Sequence, residues 1–156
     1  EVEVNNCMNN NENYDIFLGR FKEVLRRNSL KYTKQREIIL QTIYNSTEHF
    51  TPESLYGEIA QNVSESKIGI ATIYRTLSLL EKENMVTSIS FGANGKKYEA
   101  GTKDHHDHMI CDSCGKIIEF CDEVIEELQE KVALKHQFKI IDHVMQIHGI
   151  CKECQD

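Results

Sequence analysis

Lys103-Asp104-His105-His106-Asp107-His108-Met109-Ile110-Cys111-Asp112-Ser113-Cys114-Gly115-Lys116-Ile117-Ile118-Glu119-Phe120 is answered near the end of the chain by Cys151-Lys152-Glu153-Cys154. Cys111, Cys114, Cys151 and Cys154 form two C-x-x-C pairs. A two-residue spacer lets both thiolates of a pair turn toward one tetrahedral centre, so the quartet suits a structural Zn²⁺. Residues 115–150 separate the pairs, 36 residues, so a shared ion would tie the first and last strands of a small subdomain together. Two disulfides or a redox pair are the alternative; no secretory leader and no βαβ context for a thioredoxin-like motif is seen.

Between Lys103-Asp104 and Met109-Ile110 the run reads as a strand, whose successive side chains point to opposite faces. His106 and His108 then share one face, and His105 and Asp107 the other. Each pair offers nitrogen and oxygen donors without thiolate, the preference of Fe²⁺, Mn²⁺, Co²⁺ or Zn²⁺ rather than Cu⁺. Two distinct sites on two faces are expected, against the plainer reading of a solvated polar strand end.

The net charge of −7 conceals an asymmetry. Residues 14–100 carry 12 Lys and Arg against 10 Asp and Glu, whereas residues 101–156 carry 6 against 12. The middle segment alone is net basic, which leaves room for a nucleic-acid partner despite overall acidity. No apolar run approaches the ~20 residues of a membrane span, and a cytoplasmic location is expected. Residues 1–13, Asn-rich and acidic, read as a mobile N-terminal extension. Cys7 there, and Cys121, are left over from the quartet and are expected to be free thiols.

From Tyr14 a helical period sets Phe17, Phe21, Val24 and Leu25 on one stripe. Thr33 can cap a second helix with Ile38, Ile39 and Ile43 inward. Thr51-Pro52 opens a third, through Leu55 and Ile59. A fourth follows Gly69, with Ile70, Ile73, Leu77 and Leu80 buried and Thr72, Arg75, Ser78 and Lys82 outward. Val86–Phe91, a turn at Gly92-Ala93-Asn94-Gly95, and Lys96–Ala100 read as a β-hairpin. Helices followed by a basic-tipped hairpin make a winged helix-turn-helix, with the fourth helix entering the major groove. Thr72, Tyr74 and Arg75 would face base edges and phosphates there, and Lys31, Lys34, Arg36, Lys96 and Lys97 the backbone.

Residues 100–104 read as a hinge, which divides the chain into a DNA-binding domain at 14–99 and a metal-binding dimerisation domain at 105–156. Within the latter a helix over Asp122–Gln137 and a strand over Phe138–Ile147 are expected. Neither face of that strand is polar, which predicts burial on both sides at a dimer interface. The fold class is α+β: an N-terminal winged helix-turn-helix domain and a small α/β dimerisation domain with a Cys₄ zinc site.

The stretches Leu30–Arg36, Gly69–Leu77, His105–Phe120 and Cys151–Cys154 resemble, in order, those of the ferric uptake regulator family of bacterial metalloregulators. The resemblance covers about residues 14–156. It implies metal-dependent repression of metal-uptake genes by a homodimer, or a higher oligomer, bound to double-stranded operator DNA. Carried over by residue, it implies a regulatory site of His49, Glu99, His106, His108 and Glu119 joining the two domains. A further site would comprise His105, Asp107, Glu126 and His143, and the cysteine quartet would hold the structural zinc. Lys31 matches a minor-groove position, and Tyr74 and Arg75 the recognition helix.

Peroxide-sensing members of the family place aspartates where this chain has Glu99 and Glu119, which favours an Fe²⁺ sensor. Zn²⁺- or Mn²⁺-responsive members share much of the pattern, and either cation can substitute. A constitutive, zinc-stapled DNA binder is the other rival. An enzyme is not expected: a hydrolytic centre needs an open coordination position and a base, whereas the ligands here suffice to close both sites.

Overall fold

The computed structural model describes residues 12–63, 67–90, 95–102 and 104–155. The chain divides into two compact units, one built on Asn11–Lys103 and one on Asp104–Asp156. Most of the expected N-terminal extension with Cys7, the hairpin residues Gly92, Ala93 and Asn94, and Lys103 lie outside the described residues.

The first unit runs α1 (Tyr14–Arg27), α2 (Lys34–Asn45), α3 (Pro52–Asn62), α4 (Ile70–Lys82), β1 (Val86–Ser90) and β2 (Lys96–Ala100). Each of the first three helices starts where a short polar side chain satisfies an orphan amide. Asn13 accepts from the Asp15 amide, Thr33 from that of Arg36, and Thr51 and Ser54 form a reciprocal capping box with Pro52 in the first turn. Phe17, Phe21, Ile39, Leu40, Ile43, Leu55, Ile73 and Leu80 are fully enclosed, so the stripes read from the sequence meet in one core. Ile70 departs from expectation at 39% exposed. It is the first residue of α4, where the chain is still arriving, and Ile68 two residues earlier takes the buried position instead.

β1 and β2 pair antiparallel from Val86 opposite Ala100 to Ser90 opposite Lys96, which makes the wing. A short bridge outside the hairpin holds it to the helices. Phe50 and Tyr98 exchange both backbone hydrogen bonds, at 2.9 and 2.7 Å, and their rings stack at 6.2 Å.

In the second unit β3 (Asp107–Cys111) is central, antiparallel to β4 (Ile117–Phe120) and parallel to β5 (Gln146–Gly149). α5 (Glu123–Lys135), capped by Asp122, forms the crossover to β5. β5 corrects the expected strand over 138–147: it is shorter and later, and the segment before it is exposed, with Ile141 at 94% and Val144 at 71%. The physical reason is the length of β3. Its ladder with β5 extends only from His108–Gln146 to Cys111–Gly149, with the His108 amide donating to the Met145 carbonyl at its end, so, among the described residues, 138–144 have no strand partner to hold them extended. α5 likewise buries no residue, leaving Val124, Leu128 and Val132 exposed.

Leu77→Ala, at a site 1% exposed, should lower unfolding stability by about 2–5 kcal/mol in denaturant titration. Ile70→Ala should cost about 0.5 kcal/mol or less. Equal costs at the two positions would contradict the packing assigned to α4.

Candidate metal centres and nucleic-acid interface

Cys111 ends β3, and Cys114 lies in a turn closed by the Gly115 amide donating to the Cys111 carbonyl at 2.8 Å. Gly115 has φ of +74°, a conformation a Cβ would disfavour. Cys151 precedes and Cys154 ends the single turn Lys152–Cys154, which the β3–β5 register lays beside Cys111. The four sulfur atoms lie within 4.8 Å of one another, with Cys114 and Cys151 3.7 Å apart. Metal–sulfur bonds of about 2.3 Å set tetrahedral sulfurs about 3.8 Å apart, so the quartet has the dimensions of a zinc site. All four cysteines are free thiols, which removes the two-disulfide alternative. The Cys151 amide, donating to the Cys111 sulfur at 3.3 Å, is the first cause that holds that thiol down at about 6. Cys151 is pushed up, first by its hydrogen bond with the Glu153 carboxylate. Cys121 is disulfide-bonded, which corrects the expectation of a free thiol there; Cys7 lies outside the described residues.

A second cluster lies wholly within the same unit. His105 Nε2 and His143 Nε2 stand 3.3 and 3.4 Å from Glu126 Oε1, and 3.9 and 3.7 Å from Asp107 Oδ1. Bonds of about 2.1 Å would place tetrahedral nitrogen and oxygen donors about 3.4 Å apart. Asp107 is 1% exposed, yet among the described residues both its carboxylate oxygens and His143 Nε2 are buried without a hydrogen-bond partner. Buried polar atoms are almost always satisfied. Orphaned atoms on two of the four converging donor residues fit a divalent cation at this point.

The donors of the expected regulatory set are divided between the units. In the first, the Phe50–Tyr98 bridge sets the neighbouring residues side by side, and His49 Nε2 comes to 3.1 Å from Glu99 Oε2, both side chains nearly enclosed. In the second, His106 Nε2 lies 3.7 Å from Glu119 Oε1, and the His106 and His108 rings meet edge-on at 4.7 Å. His106 Nδ1 donates to the Asp104 carbonyl at 2.7 Å, which fixes the tautomer and turns the Nε2 lone pair toward Glu119. The face argument needs one correction: β3 begins at Asp107, so His105 and His106 precede the strand. Only Asp107 and His108, adjacent on β3, are separated by strand alternation.

On the first unit, Tyr74 and Arg75 of α4 are exposed, as is Lys31, while Thr72 is half-buried. Three of the expected DNA contacts carry engagements that the sequence did not reveal. The Arg36 guanidinium donates to the Lys31 carbonyl at 2.5 Å, and Lys96 bonds Glu81 at 2.9 Å, where Ser88 also donates. The Tyr74 hydroxyl donates to the carboxylate of Glu53 on α3. Lys97 is half-buried in β2.

A winged helix-turn-helix in one chain with clustered imidazole, carboxylate and thiol donors defines the class of metal-binding, DNA-binding transcriptional regulators. The family model for the ferric uptake regulator family matches residues 27–148, and the chain belongs to that family. It is 57% identical over 146 residues to the ferric uptake regulation protein of Campylobacter jejuni, covering 94% of this chain and 93% of that relative. The structure of the Helicobacter pylori ferric uptake regulator, 40% identical, covers 96% of this chain and 98% of its own with a TM-score of 0.80. That structure is described as revealing three functional metal-binding sites. A zinc-bound manganese uptake regulator is 32% identical over 83% of this chain and 97% of its own, with a TM-score of 0.57. Among the described residues no helix is long and apolar enough to cross a membrane.

Asp107→Asn removes one charge from a buried, unsatisfied group. In chelator-treated protein it should raise unfolding stability by about 1 kcal/mol. In zinc-saturated protein it should lower it, because a ligand is lost. The same sign under both conditions would show that the cluster is not a cation site.

Proposed function

We propose that this protein is an Fe²⁺-dependent repressor of iron-uptake genes, acting as a homodimer on two-fold operator DNA and stapled by a structural Zn²⁺ at Cys111, Cys114, Cys151 and Cys154. The observation that carries the reading is the chemistry of the regulatory donors. His49 and Glu99 converge in one unit and His106, His108 and Glu119 in the other, all nitrogen or oxygen, with both carboxylates glutamates. When bound, the cation supplies a positive centre that donors of both units share. The residues do the rest. His106 is held in the tautomer that offers Nε2, and Glu99, 3% exposed, keeps a carboxylate where water cannot compete for it. His105, Asp107, Glu126 and His143 form a second cation site within the metal-binding unit.

DNA binding rests on α4, with Tyr74, Arg75 and Thr72 toward the major groove and Lys31 with Arg36, Lys96 and Lys97 toward phosphates. Because Arg36 and Lys96 are engaged within the protein, Lys31 and Arg75 carry the larger shares of the electrostatic contact. The partner subunit is a second copy of this chain. Val124, Leu128 and Val132 of α5, Ile118 of β4 and Ile147 of β5 are between 41 and 65% exposed, an apolar surface that a symmetric partner would cover. A Zn²⁺- or Mn²⁺-responsive regulator is the second reading, favoured by the likeness to a manganese uptake regulator solved with zinc.

With both units coupled through the shared cation, Fe²⁺ or Mn²⁺ should tighten operator binding by about 5–150-fold, and DNA should tighten metal binding by the same factor. His106→Ala should abolish this response while leaving the cysteine-bound zinc in place, as metal analysis and anaerobic fluorescence titration would read out. A variant that still gains operator affinity with Fe²⁺ as the parent does would refute the regulatory assignment. Lys31→Ala should flatten the salt dependence of operator binding by about one unit of slope.

A further inference from the structure

Glu53 has no place in the DNA-contact set read from the sequence, yet it bonds the residue at the centre of that set. It sits in the first turn of α3, where the exposed amides and the helix dipole favour an anion, and its carboxylate is held below the ordinary carboxylate range, chiefly by the Tyr74 hydroxyl. The Tyr74 phenol is correspondingly raised by the same hydrogen bond. Tyr74 lies 21 residues further along, on α4, and remains 46% exposed. The bond therefore spans the two helices of the helix-turn-helix and pins an otherwise swinging side chain at its tip. A phenol has one proton to donate, and here it goes to Glu53.

We propose that Glu53 is a positioning residue for sequence readout: it holds the Tyr74 hydroxyl so that the aromatic ring, and not the hydroxyl, is presented to base edges in the major groove. With the proton committed, Tyr74 cannot donate to a phosphate oxygen. What remains for DNA is an apolar ring face and edge at a fixed angle, the chemistry that meets a thymine methyl. The Glu53 charge adds to discrimination, since a carboxylate beside the groove repels any phosphate not held away by correct docking. This inference rests on α4 being the recognition helix.

The test uses the full chain loaded with Mn²⁺ and two duplexes: one that the protein itself selects from a random pool, and a shuffled duplex of equal composition. Glu53→Ala should lower the ratio of the two affinities about tenfold, with unchanged or stronger binding to the shuffled duplex. Glu53→Gln, which can still accept from the phenol, should recover most of the ratio, a rescue that a loss of folding would not show. Tyr74→Phe should match Glu53→Ala, and the double variant should add little to either, since both remove one bond. A ratio unchanged in Glu53→Ala but lowered in Tyr74→Ala overturns the positioning role and leaves the recognition helix standing. So does Tyr74→Phe weakening both duplexes equally, the signature of a hydroxyl on phosphate. A ratio unchanged in Tyr74→Ala as well would sink the recognition-helix assignment and this inference with it.

Discussion

The alternation of side chains along β3 is the constraint on which the metal chemistry depends. This strand of five residues supplies Asp107 to one cluster, His108 to the proposed regulatory donors and Cys111 to the cysteine quartet. Adjacent residues on a strand point to opposite faces, so Asp107 and His108 cannot contribute to one centre. A one-residue slip of register would exchange their faces and move Cys111 away from Cys151. Three sites therefore share one structural element without sharing a ligand. The flanking ladders fix that register, four residue pairs on each side of β3.

Much of this unit lacks the apolar core that would stabilise so small a domain. Among its described residues only Asp107, His108, Ile110 and Cys111 are buried, all of them on β3, and α5 buries none. Burying the Asp107 carboxylate, neither of whose oxygens has a hydrogen-bond partner among the described residues, costs stability rather than adding it. Metal binding offsets that cost, because a site that does not survive unfolding turns binding free energy into folding free energy. Association of the exposed α5 and β5 faces in the proposed homodimer would act in the same direction. The first unit is the opposite case: its helices enclose a continuous apolar core and need no ion.

How far the sequence disclosed this follows from the range of each interaction. The helices of the first unit were legible because an amphipathic period and a capping side chain are local, as at Thr33 and Thr51. The cysteine quartet was legible because C-x-x-C spacing is itself the geometry of a metal pair. The strand before β5 was misread because its apolar alternation is local, whereas the ladder that makes a strand depends on the length of β3. His49 beside Glu99 follows from the Phe50–Tyr98 bridge, a pairing that no periodicity encodes, and only family resemblance pointed to it. Glu53 stayed hidden for a similar reason: its partner Tyr74 is on the next helix, and an acidic residue at a helix start already has a sufficient local explanation.

Selectivity among cations is the remaining question, and donor number bears on it more than donor type does. By intrinsic affinity Zn²⁺ exceeds Fe²⁺ and Mn²⁺ at nitrogen and oxygen sites, so a site cannot prefer iron by being tighter. The proposed regulatory set has five donor residues, His49, Glu99, His106, His108 and Glu119, whereas Zn²⁺ is satisfied by four in tetrahedral array. A fifth donor, and a carboxylate able to bind through both oxygens, reward a cation that accepts five or six ligands. With four, zinc can leave one of the five proposed donors unengaged. On this argument Zn²⁺ could bind tightly and still be the poorer effector. Discrimination then lies in whether all five residues are engaged, and the comparison that decides it is operator affinity at saturating metal rather than metal affinity.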